Sequence, residues 1–368
     1  MIEFDPEKYR ARIEESGKRF QISARFEEPD RVPISISVSG SFFTRLFGFN
    51  IRDYYTDMDV GLEVDLRGLK WAYEELQDDR SGYGIGLALG PVSEGIYFDC
   101  PIEYPDDTSP RIVPKMKDPA GIEKLEIPDP AEHEGVLKVY RIYEELKSRM
   151  QKINPKIPVG GGLGIHPPLS CACAIMEPVL VYEMLVTEKK LMHKFFSKLL
   201  EAFIRLHDFQ DKYFGTKTQS IGLADDNSAF ISNDLYREMV MPYNMAIYER
   251  YGQKGRHLHA DGPNDHHFRM YADDMKLTSM DIGGFSDIVV AKKALHGKTV
   301  FSGGLNCKDL YYDFETAKPA VDRAIRIGAP GGGYTLAVGG ETYVGVNPEA
   351  LIQVVKYAKK VGRYPIKL

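Results

Sequence analysis

Hydrophobic and polar residues follow two alternating periods along the second half of the chain. Short stretches with apolar residues at every second position, or in unbroken runs, indicate strands, whereas apolar residues three and four positions apart indicate amphipathic helices. The two patterns alternate, with strands predicted over 219–224, 255–260, 276–282, 298–303 and 333–338 and helices over 264–273, 287–295, 315–327 and 347–361. Repeated strand–helix units of this kind imply parallel strands joined by right-handed crossovers.

The first half of the chain supplies three further strand patterns with less regular spacing. Strands are predicted over 32–38, 83–89 and 158–163, helices over 58–78 and 128–153, and two successive helices before residue 219. A later helix is predicted to begin after Ser232 as its N-cap, and Pro242 is predicted to bend or end it. Eight candidate strands favour a closed (β/α)8 TIM barrel over an open doubly wound sheet.

Two segments fall outside the repeating units. Residues 1–30 are rich in charged residues and helix formers, so we predict an N-terminal helical extension there and a barrel catalytic domain over 31–368. Residues 90–118 contain several prolines and the β-like sequence Gly95-Ile96-Tyr97-Phe98. We predict a hairpin-like excursion from the barrel in this region, in a position to cover a cleft.

The amino-acid composition is that of an ordinary globular protein. The chain has 368 residues, of which 43% are hydrophobic and 27% charged, and a formal net charge of −6. This balance predicts a globular protein without a general attraction to nucleic acid or anionic membranes. Neither a membrane-spanning run nor a signal peptide is apparent, and the four cysteines are scattered, so we expect a cytoplasmic protein with reduced thiols.

Polar residues gather where the predicted strands end, which is where a TIM barrel carries its active site. His257 and His259 are two positions apart on one strand, so their imidazoles point the same way. With Asp281, at the end of another strand, and Glu341, which follows the last strand, they form a predicted metal site of two nitrogen and two oxygen ligands, a set that zinc accepts. Asp261, Asp225 and Cys307 are the alternative ligands.

Two other motifs receive a structural interpretation. Cys171-Ala172-Cys173 lies at a predicted helix start in an apolar stretch, where residues i and i+2 do not face each other. Pro330-Gly331-Gly332-Gly333 lacks the ending of a phosphate-binding loop and is interpreted as a tight turn. No Gly-x-Gly-x-x-Gly follows a predicted strand, so a dinucleotide fold is not supported.

Several segments together resemble the uroporphyrinogen decarboxylase superfamily, which includes the zinc methyltransferases of corrinoid-linked methyl transfer. They are Ile221 to Asn227, Ile231-Ser232 to Tyr243, His257-Leu258-His259, Phe301 to Gly304, Gly331 to Tyr334 and Asn347-Pro348-Glu349. The resemblance implies a TIM barrel and a homodimer. The stretch from Ser39 to Arg45 lacks the arginine-rich motif of the decarboxylases, so decarboxylation of that porphyrinogen is not expected.

The sequence departs from the methyltransferase branch at both thiolate positions. That branch holds zinc with a His-x-Cys on the fifth strand and a further Cys after the eighth. Here His259 stands where the first Cys would be, and Gly339-Gly340-Glu341 lies near the second. Imidazole and carboxylate ligands leave a harder Lewis acid than thiolates do, which suits an oxygen rather than a thiol.

The resemblance and this departure predict an O-demethylase component. The expected reaction moves a methyl group from a small-molecule methyl ether, a methoxylated aromatic, to the Co(I) of a corrinoid carried by a partner protein, with zinc acting on the ether oxygen. Asp226, His166 and Tyr83 are the candidates for holding a substrate hydroxyl or giving a proton to the leaving oxygen.

Three alternatives remain open at this point. The chain could be a methylcobamide:thiol methyltransferase, or a metal-independent enzyme of the decarboxylase type in which Asp226 or Asp79 binds a pyrrolic substrate. It could also be a binding protein that kept the barrel without its chemistry. Metal content and methyl transfer distinguish these functions.

Overall fold

Six parallel strands form the main sheet of the computed structural model, which describes residues 3–340 and 342–367. The strands are β1 Ile34–Ser35, β4 Ser220–Ala224, β5 Gly255–His259, β6 Ser279–Asp281, β7 Val300–Leu305 and β8 Tyr334–Val338. They lie in the order β1-β8-β7-β6-β5-β4, so β4 to β8 follow one another in the sheet as they do in the chain. The predicted TIM barrel is confirmed, with β1 beside β8 as ring closure requires.

The segments 83–89 and 158–163, which were predicted as strands, form fewer backbone hydrogen bonds with neighbouring strands than regular strands do. In the described residues they meet in one parallel bridge, between Ile85 and Val159. Both segments contain several glycines, which weaken a strand because they contribute no side chain to packing and leave the backbone mobile. This side of the barrel wall is therefore held by fewer backbone hydrogen bonds than the β4–β8 side.

Helices surround the sheet. They are α1 Arg10–Ser23, α2 Gly40–Phe47, α3 Ile51–Thr56, α4 Met58–Trp71, α5 Ser93–Tyr97, α6 Ala120–Lys124, α7 Glu134–Ile153, α8 Pro168–Ile175, α9 Pro178–Thr187, α10 Lys189–Phe214, α11 Asn233–Met239, α12 Met241–Tyr251, α13 Phe268–Asp273, α14 Ile288–Leu295, α15 Phe314–Gly328 and α16 Pro348–Val361. In the part of the chain that is described, none of them is long and apolar enough to cross a bilayer.

The excursion over 90–118 differs from its predicted form. A two-stranded antiparallel hairpin is present, β2 Ile102–Glu103 with β3 Arg111–Ile112. Gly95-Ile96-Tyr97-Phe98, however, was predicted as β-like and lies in or directly after α5, so that prediction is wrong. Glu94 in the first turn and the burial of Tyr97 and Phe98 against the core favour the helix over the local strand propensity.

Prolines explain two further differences. Three helices, α8, α9 and α10, replace the two that were predicted before residue 219, because Pro168 and Pro178 each begin a helix at its first turn. Pro242 likewise begins α12 rather than ending a single long helix. The N-cap prediction for Ser232 is confirmed, since its side chain accepts a hydrogen bond from the Leu235 N–H at 3.2 Å.

The N-terminal helix α1 lies at the end of the barrel where the strands begin. Ser23 accepts a backbone hydrogen bond from Gly333 and donates one through its hydroxyl to the Tyr334 carbonyl, at the start of β8. Phe20 reaches the cavity inside the barrel. The helix therefore covers this end of the barrel, and the domain boundary at residue 30 stays a prediction.

A buried ion-pair network fixes α1 against the barrel. The Asp79 side chain, 2% exposed, accepts hydrogen bonds from Arg19 at 2.8 Å and from Arg31 at 2.5 Å. Its second oxygen also accepts the backbone N–H of Ile34 in β1 at 2.9 Å. Both oxygens of Asp79 are therefore used in contacts that stabilise the fold. This argues against Asp79 as a residue that binds a pyrrolic substrate.

Candidate active site

The imidazole of His259, at the end of β5, lies between three carboxylates. Its Nε2 is 3.7 Å from Asp226 Oδ1 and 3.7 Å from Asp261 Oδ2. Its Nδ1 is 3.5 Å from Asp281 Oδ2. We call these four residues the acidic cluster. It lies at the carboxyl ends of the strands, the face where TIM barrels carry their active sites.

The strand ladder explains why these side chains meet. His259 pairs with Asp281 of β6 on one side and with Ala224, the last residue of β4, on the other. Asp226 follows β4 in a short 3-10 helix, and its Oδ1 accepts the backbone N–H of Asp261 at 2.7 Å. The ends of three adjacent strands therefore deliver one imidazole and three carboxylates to the same level.

The acidic surroundings change the protonation of His259. A hydrogen bond to Asp281 raises the pKa of His259 to about 9; burial opposes that shift, and the charges of Asp226, Asp281 and Asp261 add to it. Without a metal ion the imidazole is consequently protonated at neutral pH. The cluster holds its carboxylates together by keeping one cation among them.

Three of these residues fit a divalent ion. Asp226, His259 and Asp261 each offer a ligand atom, and the three atoms lie within 4.8 Å of one another. The Nε2 of His259 faces this side, while its Nδ1 faces Asp281. That is the arrangement in which a second carboxylate orients a metal-binding histidine through its other nitrogen. The donor set contains nitrogen and oxygen only, which zinc accepts.

The four ligands predicted from the sequence do not all lie at one place in the structure. His259 lies in the cluster and Asp281 lies on its Nδ1 side, as a candidate for orienting the ring. His257 lies deeper in the barrel, where its Nδ1 is 3.0 Å from Ser279 Oγ. It lines an internal cavity of about 280 Å³, and burial lowers its pKa. Glu341 lies outside the described residues, so its place in the site stays a prediction.

Of the three alternative ligands, one lies in the acidic cluster and two lie outside it. Asp261 is part of the cluster, whereas Asp225 is fully buried and accepts hydrogen bonds from Ser170 and Asn244, both at 2.9 Å. Burial raises the pKa of Asp225 to about 6, against the effect of these hydrogen bonds. Cys307 is buried after β7, with its Sγ 3.7 Å from the Gly339 carbonyl oxygen. Asp225 therefore supports the wall behind the cluster.

His166 is paired with a carboxylate that the sequence pattern did not reveal. Its Nδ1 is 2.7 Å from Glu94 Oε1, and its backbone N–H donates to the same oxygen at 2.5 Å. Glu94 is 1% exposed, and within the described chain its Oε2 is a buried atom without a hydrogen-bond partner. Glu94 belongs to the excursion, and only its place in the first turn of α5 brings it to the site.

The charges around His166 favour its protonated form. Burial lowers the pKa of His166, but the hydrogen bond to Glu94, the charge of Glu94 and the charges of Asp226 and Asp225 outweigh burial, so the pKa is raised. The charge of Asp226 acts on His166, so the two side chains lie near each other. His166 and Asp226, both predicted as catalytic candidates, are therefore brought to the same side of the barrel.

Tyr83 is placed elsewhere. Its ring packs edge-on against Phe4, with ring centroids 6.4 Å apart, in a hydrophobic cluster that includes Tyr73 and Ile85. This cluster lies near the start of the second strand segment, away from the strand ends. The structure thus does not bring Tyr83 together with Asp226 and His166.

The two neighbouring cysteines are buried in α8. Burial raises the pKa of Cys171 well above its usual value and that of Cys173 to about 12. Their thiols are therefore protonated at neutral pH, in agreement with the structural interpretation of this motif.

A TIM barrel with an acidic, histidine-centred site at the carboxyl ends of its strands is one of several enzyme types on this fold, and comparison with known proteins identifies the family. The chain belongs to the uroporphyrinogen decarboxylase (URO-D) family, which it matches over residues 16–361. The family resemblance predicted from the sequence is thus confirmed. No curated protein matches the chain.

A solved structure gives the same fold. The chain is similar to a methyltransferase from Methanosarcina mazei, with a TM-score of 0.66 and 15% sequence identity, over 94% of this chain and 98% of that one. At this identity the likeness shows a common fold across almost the whole length of both proteins.

Substitution of the two histidines of β5 should affect metal binding differently. His259→Ala should lose most of its bound zinc, because the variant lacks the nitrogen that faces Asp226 and Asp261. His257→Ala should keep most of it, since His257 contacts Ser279 instead. Elemental analysis of both purified variants after zinc loading measures this difference. Equal loss of zinc in the two variants would place His257 among the ligands and contradict a site formed by Asp226, His259 and Asp261.

Proposed function

We propose that this chain is a methyltransferase that removes the methyl group of a methoxylated aromatic compound and transfers it to the Co(I) of a corrinoid held by a partner protein. Membership in the URO-D family and the fold shared with a methyltransferase support this reaction class. The observation that carries the proposal is the donor set around His259. Its described members offer nitrogen and carboxylate oxygen and no thiolate.

The proposed metal position is the space between Asp226, His259 and Asp261. A divalent ion there, for which we take zinc, would supply a Lewis acid for an ether oxygen. Asp281 holds the imidazole of His259 from its Nδ1 side, which fixes the direction of Nε2. The side chains of Asp226 and Asp261 are 45% and 40% exposed, so a substrate can reach them from the mouth of the barrel.

His166 is the proposed proton donor. When the methyl group leaves, the bond between the methyl carbon and the ether oxygen breaks, and the aryl oxygen departs with the electron pair. A proton stabilises that oxygen. Because Glu94 occupies Nδ1 of His166, Nε2 is the atom left to donate, and the raised pKa favours the protonated imidazole.

The mouth of the barrel also fits a protein partner. Large hydrophobic side chains are exposed on loops that follow four of the strands, after β4, β6, β7 and β8; they are Phe230, Phe285, Tyr312 and Tyr343. Exposed apolar side chains that surround a site are typical of protein interaction surfaces. We assign this surface to the corrinoid protein, which must bring its cobalt to the methyl group. A homodimer stays a prediction.

The proposed reaction is tested by mixing the zinc-loaded protein with a methoxyarene and a corrinoid protein reduced to Co(I). Formation of methyl-cobalt, followed by its absorbance spectrum, is the expected result, and the matching phenol should accumulate in equal amount. The chelated protein is the control. Transfer from methylcobalamin to a thiol, with no reaction of any methoxyarene, would reverse the assignment in favour of a thiol methyltransferase.

The pairing of His166 with Glu94 should determine how the rate of methyl transfer depends on pH. The rate should fall as pH rises through the raised pKa of His166, since only the protonated imidazole donates. Glu94→Gln removes the negative charge and leaves burial to lower the pKa, so the falling limb should move to lower pH. Rate–pH profiles, with the imidazole titrated in parallel by NMR, measure the shift. Glu177→Gln, at an exposed carboxylate paired with Lys117, is the matched control.

A profile for Glu94→Gln that coincides with the wild-type profile would contradict the role of Glu94. A uniform loss of rate at every pH would also contradict it, because such a loss indicates a structural contribution only.

A further inference from the structure

Two cavities adjoin each other beside the least regular part of the barrel wall. They have volumes of about 370 and 240 Å³. The residues that line both of them are Tyr54, Tyr55, Asp65, Gly86, Leu87 and Ala88. We call the joined space the Asp65 cavity. Each part exceeds the roughly 150 Å³ that holds a benzene molecule in an engineered protein cavity, so a single aromatic ring has room there.

The chain connects this cavity with the acidic cluster. A Cβ at Gly340 would lie 2.7 Å from Asp261 Oδ2, so Gly340 packs against the cluster. Two residues later, the carbonyl of Thr342 accepts hydrogen bonds from the backbone N–H and the hydroxyl of Ser39, which lines the cavity. Two residues span at most about 7 Å, so one short segment of chain joins the Ser39 wall of the Asp65 cavity to the acidic cluster.

The walls of the cavity suit a flat ring. The rings of Tyr54 and Tyr55 lie at 77° with centroids 4.8 Å apart, and form an aromatic corner. On the strand side, a Cβ at Gly86 would meet no atom within 4 Å, so the glycine leaves open space there. The Tyr54 ring lies so close to Gly40 that a Cβ there would be 2.3 Å from it, so the ring can take this position only beside a glycine.

Asp65 is the polar centre of this space. It lies on α4, and one of its oxygens accepts a hydrogen bond from the Tyr54 hydroxyl at 2.9 Å. Among the described residues that line the cavity, the basic one is Arg80, and its Nε donates to Asp78 Oδ1 at 2.7 Å. Burial raises the pKa of Asp65 to about 7, although the bond from Tyr54 lowers it.

A carboxylate has more acceptor positions than one hydroxyl can use. Asp65 can therefore accept a second hydrogen bond from a ligand in the cavity. A neutral hydroxyl group on an aromatic ring matches both features: the ring packs against Tyr54 and Tyr55, and the hydroxyl donates as the Tyr54 hydroxyl does. A fully methylated ring offers the same packing but has no donor for Asp65.

We propose that the Asp65 cavity binds the aromatic ring of the methyl donor and that Asp65 accepts a hydrogen bond from a phenolic hydroxyl on this ring. The preferred donors are thus methoxyphenols rather than fully methylated arenes. The inference rests on the proposed function for the identity of the ligand. It rests on the cavity, on Asp65 and on the connection from Ser39 to Asp261 for the place where that ligand binds.

Equilibrium binding tests this assignment without any methyl transfer. Calorimetric titration of the purified full chain compares guaiacol, an ortho-methoxyphenol, with veratrole, its methylated counterpart, at a pH above the Asp65 pKa of about 7, where the carboxylate is ionised. Guaiacol should bind about tenfold more tightly, the effect of one hydrogen bond to a charged acceptor. Asp65→Asn should weaken guaiacol binding by about tenfold and leave veratrole binding unchanged, because only guaiacol donates to the carboxylate.

A second variant tests the cavity independently of Asp65. Gly86→Ala puts a methyl group into the open space and should weaken the binding of both ligands. Gly82→Ala is the matched control: a Cβ at this exposed glycine also meets no atom within 4 Å, but Gly82 does not line the cavity. Binding to the control variant should equal binding to the wild type.

The proposal is overturned if guaiacol does not bind, if Asp65→Asn binds it as the wild type does, or if veratrole binds equally tightly. Displacement of guaiacol by tetramethylammonium, with tighter binding of the ammonium ion, would also overturn it in favour of a cationic ligand. Because no methyl acceptor is present, Asp65-dependent binding together with absent methyl transfer would contradict the proposed function and not the binding site.

Discussion

The concentration of negative charge at the ends of β4, β5 and β6 is the constraint on which the site depends. Three carboxylates lie within 3.7 Å of one imidazole. Like charges at such distances are stable only if a cation lies among them. The proton on His259 is that cation in the ion-free protein, as its pKa of about 9 shows. A divalent ion between Asp226 and Asp261 would serve the same purpose with more charge.

The rest of the barrel supports this arrangement from several directions. Below the cluster, α1 covers the end of the barrel and is held by the buried Asp79 network. Behind it, Asp225 is fixed by hydrogen bonds from Ser170 and Asn244. Beside it, Glu94 from the excursion holds His166. The regular strands β4 to β8 thus carry the charged side of the site, and the glycine-containing strand segments leave space for a substrate.

Much of this architecture follows from periodicity alone. The alternation of strand and helix over residues 219–361 predicts the parallel sheet, and the two histidines on one strand predict the side of β5 that faces the interior. Periodicity does not set the height of each side chain in the barrel. His257 and His259 share a face, yet only His259 reaches the level of Asp226 and Asp261, because the register with Ser279 and Asp281 decides it.

Other parts of the site depend on tertiary contacts that no local pattern contains. Glu94 lies beside a sequence with β propensity, and packing of the following aromatic residues makes that segment helical. Asp65 occupies a helix whose pattern indicates only an amphipathic element, and its environment results from the meeting of α2, α3, α4 and the second strand segment. Tyr83 begins the second strand segment and packs against Phe4, which places it away from the strand ends that carry the acidic cluster.

The central claim is that a metal ion at this site has nitrogen and oxygen ligands only. X-ray absorption spectroscopy of the zinc-loaded protein measures this most directly. We predict a single shell of nitrogen and oxygen neighbours at about 2.0–2.1 Å from zinc. A sulfur neighbour at about 2.3 Å would contradict the account, since it would bring a cysteine such as Cys307 into the site and favour a thiol substrate.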